Sequence, residues 1–225
     1  MGTRNYSLLC CRIQTSMVKE GYWYGLPLVL TAGGLIGLRL YVLGASFLIL
    51  ALLVLNFFRD PDRRIPTEPG AMVSPADGRV VQIADDEFAG RPVRRVSIFM
   101  SPLDVHVNRS PIPGTVRDIT YRRGAFHVAS LERASVENEQ NIFTVEGEDG
   151  TVVVKQIAGL LARRIVFWKR QGDQLARGER VGLIKFGSRV DVLVDPGVEI
   201  RVKVGDHIRA GSDILGYVRA KIYPA

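Results

Sequence analysis

A nearly uncharged stretch from Gly21 to Phe58 is the sequence feature that most constrains the fold. It contains 38 residues, of which Arg39 alone is charged. As a single helix it would be about 57 Å long at about 1.5 Å per residue, whereas a hydrocarbon core is about 30 Å thick. Arg39 divides the stretch into 18 and 19 residues, each close to the length of one crossing. The stretch therefore predicts a helical hairpin over residues 21–58 that is either transmembrane or re-entrant.

The residues that flank this hairpin predict where it lies. Aromatic residues at Tyr22–Tyr24 and Phe57–Phe58 suit the two interfaces of a membrane. Basic residues flank both ends of the stretch, against Arg39 alone in the turn. By the positive-inside rule, both ends are then cytoplasmic. We therefore expect the chain at the cell membrane, with the polar segment 1–20 and everything after the hairpin on the cytoplasmic side.

The rest of the chain reads as a linker and a body. Residues 59–70 contain three prolines and charges of both signs, a composition that predicts an extended, solvated linker. The body, residues 71–225, has short alternating runs separated by Gly, Pro or Asp, which favours a mainly β fold. The predicted strands are Val80–Ile83, Val93–Phe99, Thr151–Ile157, Ile165–Trp168, Val190–Val194 and Val198–Val204.

An internal repeat narrows the fold class further. The segments Gly172–Val181 and Gly205–Ile214 align at a period of 33 residues, and each follows an alternating run. Glycine permits left-handed turn conformations, and Asp can bind nearby backbone amides. The shared pattern resembles the turns of lipoyl- and biotinyl-type folds. The body is therefore predicted to be barrel-sandwich-like, which by itself says nothing about chemistry.

Composition excludes some classes of partner. The net charge is +7, from 30 Lys and Arg against 23 Asp and Glu, but no basic run with interleaved aromatic residues is present. Attraction to an anionic membrane explains this charge, and we expect no nucleic-acid partner. Both cysteines, Cys10 and Cys11, precede the hairpin, so the body has no disulfide framework. No His, Cys or acidic pair has the spacing of a known zinc site, and we expect no metal.

Three short motifs carry the candidate chemistry. The chain has three histidines, and His106 lies in a polar run where alternation places it on one face with Asp104 and Asn108. Asp77 lies in SPADG, and Ser188 follows Gly187 directly after the first copy of the repeat. An acid, a histidine and a serine can form a nucleophilic triad in any chain order.

Together these motifs resemble the phosphatidylserine decarboxylase family, in its short class. The resemblance covers roughly residues 57–225 and rests on the joint order of five motifs. They are FFRDPDR, SPADG, SP-x-DVHVNR, ENEQN and FGS. The chain departs from the long class of the family at two positions. Arg189 follows the serine, and Arg109 stands where that class has a second histidine, which leaves His106 to act alone.

The resemblance implies a self-cleaving enzyme. Asp77 would accept a hydrogen bond from His106, and His106 would take the hydroxyl proton of Ser188. Ser188 would attack the carbonyl of Gly187, cutting the chain into residues 1–187 (β chain) and 188–225 (α chain). The two chains would stay associated. Ser188 would become a pyruvoyl cofactor that forms a Schiff base with phosphatidylserine, releasing phosphatidylethanolamine and carbon dioxide.

Several alternatives stay open at this point. The substrate could be an ether-linked archaetidyl serine lipid, because its head group is the same. The chain could instead be a membrane-tethered barrel-sandwich adaptor without activity, or a serine hydrolase that keeps Ser188 intact. Assembly into a homo-oligomer is also left open. Whether the chain is cut after Gly187 separates the decarboxylases from the other two classes.

Overall fold

The computed structural model describes residues 17–127, 137–159, 164–185 and 187–218. Most of the predicted polar segment 1–20 therefore lies outside the described residues, as do Phe186 and the last residues of the predicted α chain. The described chain begins with two helices and continues into a mainly β body. The predicted β class is confirmed.

The two helices form the predicted hairpin. Helix α1 spans Lys19–Gly37 and helix α2 spans Tyr41–Phe57. Arg39 lies in the turn between them, with a φ of 63°. The helices pack closely, because a Cβ atom on Gly44 would lie 2.5 Å from the Ile36 side chain. The apolar stretch thus folds back on itself at Arg39, its one charged residue.

Among the described residues, no helix is both long enough and apolar enough to cross a membrane. Helix α1 has 19 residues and begins with the charged pair Lys19 and Glu20, and α2 has 17 residues. At about 1.5 Å per residue they are roughly 28 and 26 Å long, against a hydrocarbon core of about 30 Å. The transmembrane form of the hairpin prediction is therefore not supported.

The body contains fourteen strands within the described residues. They are β1 Ala71–Val73, β2 Gly78–Phe88, β3 Arg91–Met100, β4 Val107–Arg109, β5 Gly114–Arg122, β6 Gln140–Gly147, β7 Gly150–Ala158, β8 Ile165–Phe167, β9 Gln174–Leu175, β10 Arg180–Ile184, β11 Ser188–Val194, β12 Glu199–Ile200, β13 His207–Ile208 and β14 Ile214–Tyr217.

These strands form one large antiparallel sheet and two small ones. The large sheet has the order β13-β2-β3-β11-β7-β6-β5-β9, and the small sheets are β4-β10-β8 and β1-β14-β12. Strand β11 pairs with β3 on one side and β7 on the other, and all of its residues are buried. Valines from β3, β7 and β11 fill the main core. The start of β11 is therefore held in the middle of the sheet.

The two copies of the sequence repeat adopt matching turns. Gly178 and Gly211 have φ values of 72° and 74°, where a side chain would be strained. Asp173 and Asp206 each accept a hydrogen bond of 2.8 Å from the backbone amide three residues earlier. The short strands inside the two copies, β9 and β13, pair with the first residues of β5 and β2. The repeat thus builds two equivalent corners of the sheet.

The linker is extended, but it is not solvated as predicted. Residues 60–68 contain neither helix nor strand, yet Asp60 is 3% exposed. Its carboxylate accepts a hydrogen bond of 2.7 Å from Arg109 and pairs with Arg180. A buried carboxylate needs such partners, because an unpaired charge in the interior is costly. These ion pairs fasten the hairpin to the body.

Candidate active site

Ser188 lies at the first position of β11, deep in the protein. It is paired with Met100 of β3 and Ala158 of β7 and has no exposed surface. Its side chain is on the core-facing side of the strand, with Val190 two residues later. The hydroxyl contacts the sulfur of Met100 at 3.3 Å. A thioether is a weak acceptor, so the serine proton is held only weakly.

Gly187, the residue before this serine, has a left-handed backbone conformation. Its φ is 61°, and a Cβ atom there would meet nothing within 4 Å. The left-handed backbone conformation, rather than a lack of room for a side chain, therefore explains why residue 187 is a glycine. In this region an ordinary residue costs roughly 1–2 kcal/mol. The bend turns the chain sharply just before it enters the central strand.

His106 is buried beside β4 and keeps one ring nitrogen free. Its Nδ1 lies 2.9 Å from the carbonyl oxygen of Asp104. A carbonyl only accepts, so Nδ1 carries the proton and Nε2 holds a lone pair. Nε2 is buried and has no hydrogen-bond partner in the described chain. Burial lowers the pKa of His106 to about 4, partly opposed by the Asp104 carbonyl. The ring is thus neutral at pH 7, with a free basic nitrogen.

Asp77 does not contact His106 through the hydrogen bond that the sequence predicted. Its carboxylate instead accepts bonds from Arg63 at 2.7 and 2.9 Å and from the amide of Ala210 at 2.7 Å. Burial raises the pKa of Asp77, and the Ala210 amide and Arg63 oppose that shift. The prediction failed because it could not include Arg63, which the docked linker brings to this carboxylate.

Comparison of the two corners of the sheet bears on the role of Asp77. Ser74 and Ser110 occupy equivalent positions, and their hydroxyls bind the carbonyl oxygens of Ala76 and Ile112, two residues later, at 2.6 and 2.7 Å. The residue equivalent to Asp77 in the second corner is Pro113. The turn therefore forms without a carboxylate at this position. Local folding alone does not explain Asp77.

A buried chain of amide side chains approaches Ser188, and sequence reasoning missed it. Asn141 donates to Gln156 at 2.8 Å, and Gln156 donates to Asn108 at 2.8 Å. Asn108 in turn approaches the sulfur of Met100 at 3.8 Å, the same atom that the Ser188 hydroxyl contacts. Asn108 alternates with His106 in the sequence, which was the one available signal. The chain supplies neutral polar groups in an otherwise apolar interior.

Comparison with known proteins relates this arrangement to one family. The family model described as phosphatidylserine decarboxylase matches residues 50–216. A phosphatidylserine decarboxylase proenzyme of Solibacter usitatus is 51% identical over 199 residues, covering 88% of this chain and 95% of the relative. Proenzymes of the same name from Nitrosomonas eutropha and Burkholderia pseudomallei are 49% and 46% identical, covering 76% and 75% of this chain.

The chain belongs to the phosphatidylserine decarboxylase family. The resemblance seen in the sequence is thereby confirmed. The match includes all three motifs that contain Asp77, His106 and Ser188.

Two arginines at which the chain departs from the long class of the decarboxylase family are engaged in structural contacts. Arg109 is 5% exposed and is occupied by Asp60 and by the carbonyl of Gly178 at 3.1 Å. Arg189 is buried on the opposite face of β11 from Ser188, where it donates to Asp191 at 2.6 Å and to Ser97 at 2.7 Å. Arg109 therefore holds the linker, and Arg189 holds the central strand.

The hairpin of this decarboxylase-family chain reaches the candidate site directly. The ring of Phe57, at the end of α2, lies 4.1 Å from the ring of His106. Phe57 and Phe58 pack with Val105 and Leu183 in a small second core. The end of the hairpin therefore covers the histidine and keeps water from it.

Proposed function

We propose that this chain decarboxylates phosphatidylserine to phosphatidylethanolamine and carbon dioxide, using a pyruvoyl group that it makes from Ser188. Family membership carries the activity, so the prediction of a carboxy-lyase is confirmed. The alternatives of a non-enzymatic adaptor and of an ordinary serine hydrolase are wrong. The names of the relatives favour phosphatidylserine over an ether-linked lipid.

The self-cleavage step rests on the free nitrogen of His106. Nε2 and the Ser188 hydroxyl are not hydrogen-bonded to each other in the structure, so the proposal requires the hydroxyl to move from the Met100 sulfur to Nε2. Nε2 then accepts the hydroxyl proton, and the serine oxygen attacks the carbonyl carbon of Gly187. The peptide C–N bond breaks and an ester C–O bond forms, while the proton passes to the released amine of Ser188. The chain is cut when the Cα proton of residue 188 is removed and the ester bond to its side chain breaks, which leaves the carboxylate of Gly187 and a dehydroalanine. Water then hydrolyses the imine form of the dehydroalanine to the pyruvoyl group and releases ammonia. Asp77 acts in our proposal through Arg63 and the Ala210 amide rather than by binding His106.

The surroundings of Ser188 fit a pyruvoyl group. Such a group supplies a carbonyl that takes up the electron pair left by the departing carbon dioxide. Among the described residues, the core-facing side of β11 packs against apolar side chains, apart from the neutral amide chain that ends at Asn108. His106 is neutral, and its Nε2 can hold the proton that replaces carbon dioxide.

The two pieces stay together after the cut in this proposal. The α chain begins with β11, which has seven registered pairs with β3 and six with β7. It also contributes β13 to the edge of the large sheet and β14 to a small sheet. Separating the pieces would break all of these contacts at once. The matching corners of the sheet support the barrel-sandwich interpretation of the body.

The hairpin is proposed to lie in the membrane surface as a re-entrant or in-plane element. Of the 21 exposed large apolar side chains in the described chain, 17 are on residues 22–53. Contiguous apolar surface on this scale marks a membrane or protein contact. We propose that the contact is the cell membrane, with the body on the cytoplasmic side. Assembly into a homo-oligomer stays a prediction from the sequence.

A serine substitution tests the proposed function. Ser188→Ala removes the nucleophile, so we expect an uncut chain with no release of carbon dioxide from phosphatidylserine. Ser46→Ala is the control, because the Ser46 hydroxyl only binds the carbonyl of Val42 on an exposed face of α2. Denaturing gels follow the cutting of each variant. A Ser188→Ala chain that is still cut, or that still releases carbon dioxide, would show the proposal to be wrong.

A further inference from the structure

An apolar groove runs along the hairpin and ends at one lysine. Its volume is about 430 Å³, within the range of about 300–1,000 Å³ that is usual for small-molecule sites. Both helices contribute to it. The lining consists of Trp23, Tyr24, Pro27, Leu28, Leu50, Val54, Phe58 and Lys185. The only charged group in the lining is thus at the end nearest the body.

Lys185 lacks a counter-ion in the part of the chain that the structure describes. It is 9% exposed, and its ammonium group approaches only the hydroxyl of Tyr24, at 3.4 Å. The rings of Tyr24 and Phe58 lie 5.1 and 5.9 Å from the same atom. An ammonium has three donors, and a largely buried one is stabilised by an anion. The groove therefore joins an apolar trough to a site suited to an anionic group.

The position of Lys185 connects the groove to the site of chemistry. It precedes Ser188 by three residues, a span of at most about 11 Å of extended chain. Phe58 lies between Tyr24, with which it stacks at 5.6 Å, and Phe57, which contacts His106. In a phosphoserine lipid, the phosphorus and the amine are joined by a short P–O–C–C–N chain of about 5 Å, from bonds of about 1.5 Å. A phosphate at Lys185 would thus hold the amine within about 5 Å of the end of the groove that adjoins the body.

We propose that this groove binds one acyl chain of the phospholipid substrate and that Lys185 binds its phosphate. This inference rests on the proposed function and assigns the substrate site for it. The acyl chain lies between α1 and α2, and the head group extends toward Ser188. In this arrangement the hairpin selects a lipid over free phosphoserine, because it binds the acyl chain. The body selects the head group.

The test measures lipid binding in the uncut Ser188→Ala chain, so that no turnover is needed. The probe is phosphatidylserine with a photoreactive diazirine on one acyl chain, in phosphatidylcholine vesicles. Peptide mass spectrometry then locates the label, which we expect near Leu28 and Val54. Leu50→Trp fills the groove and should lower labelling severalfold. Leu52→Trp is the matched control, since Leu50 and Leu52 are 47% and 59% exposed and only Leu50 lines the groove.

A second pair of variants tests the lysine. In the same background, Lys185→Gln should weaken binding of the probe by about tenfold, whereas Lys185→Arg should keep it. Labelling outside the groove, equal labelling of Leu50→Trp and Leu52→Trp, or unchanged binding by Lys185→Gln would each overturn the groove proposal. Cutting and decarboxylation by the unmodified chain are measured separately. A chain that stays uncut and inactive overturns the proposed function instead.

Discussion

Lowering the pH tests the role of His106 as the base in self-cleavage, because its burial sets an unusual pKa. That pKa is about 4, against 6.5 for an ordinary histidine. At pH 5, a ring with a pKa of about 4 is roughly 90% neutral, whereas a ring at 6.5 is about 3% neutral, a difference of roughly 30-fold. We therefore expect the cleavage rate at pH 5 to stay within about twofold of its value at pH 7 and to fall only near pH 4.

The assay follows newly made chain before it has cut itself. Protein from cell-free synthesis is moved into buffers across this pH range, and the fraction cut is followed on denaturing gels. His127→Gln serves as the control, because His127 pairs with Glu137 at 2.9 Å on the surface and should leave the profile unchanged. A cleavage rate that falls roughly 25-fold between pH 7 and pH 5, as the neutral fraction of an ordinary histidine does, would refute the assignment of a buried, neutral His106 as the base.

Two further predictions concern stability. The pKa of His106 is lower in the folded chain than in the unfolded chain. Between about pH 6.5 and pH 4 the unfolded chain therefore binds the proton more readily. As the pH is lowered across that range, the free energy of unfolding of uncut Ser188→Ala should fall by up to about 3 kcal/mol. Denaturant titrations check this, and the same slope in a chain that also carries His106→Gln would contradict it. Asp60→Ala leaves Arg109 buried without its carboxylate and should cost about 3–5 kcal/mol, whereas exposed Asp62→Ala should change stability by less than about 0.5 kcal/mol. Thermal unfolding compares the two variants, and equal Tm values would show that the Asp60 ion pairs do not fasten the linker.

Local sequence patterns predicted the elements that local physics determines. The hairpin turn at Arg39 follows from a single charge in an apolar stretch, and the cores of β2, β3, β7 and β11 follow from alternation. Strand β6, Gln140–Gly147, was not predicted, because it begins with buried amides that read as a polar loop. The repeat succeeded because its glycines need left-handed backbone wherever they occur.

The failures concern contacts between distant parts of the chain. Asp77 was expected to bind His106, but Arg63 from the linker occupies it. The linker itself was expected in solvent, because nothing local shows that Asp60 meets Arg109, 49 residues later. The partner that sets the tautomer of His106 is a backbone carbonyl, which carries no sequence signal. Residue types could thus indicate which residues form the site, while the hydrogen bonds and ion pairs among them depended on tertiary packing.

The intact mass of the purified, active protein tests the central claim most directly. Cleavage after Gly187 predicts two masses, for residues 1–187 and 188–225. The smaller piece should be lighter than a peptide that begins with Ser188 by one molecule of ammonia, because a pyruvoyl group replaces the serine. A single mass for the uncut chain of 225 residues in a preparation that decarboxylates phosphatidylserine would contradict the claim.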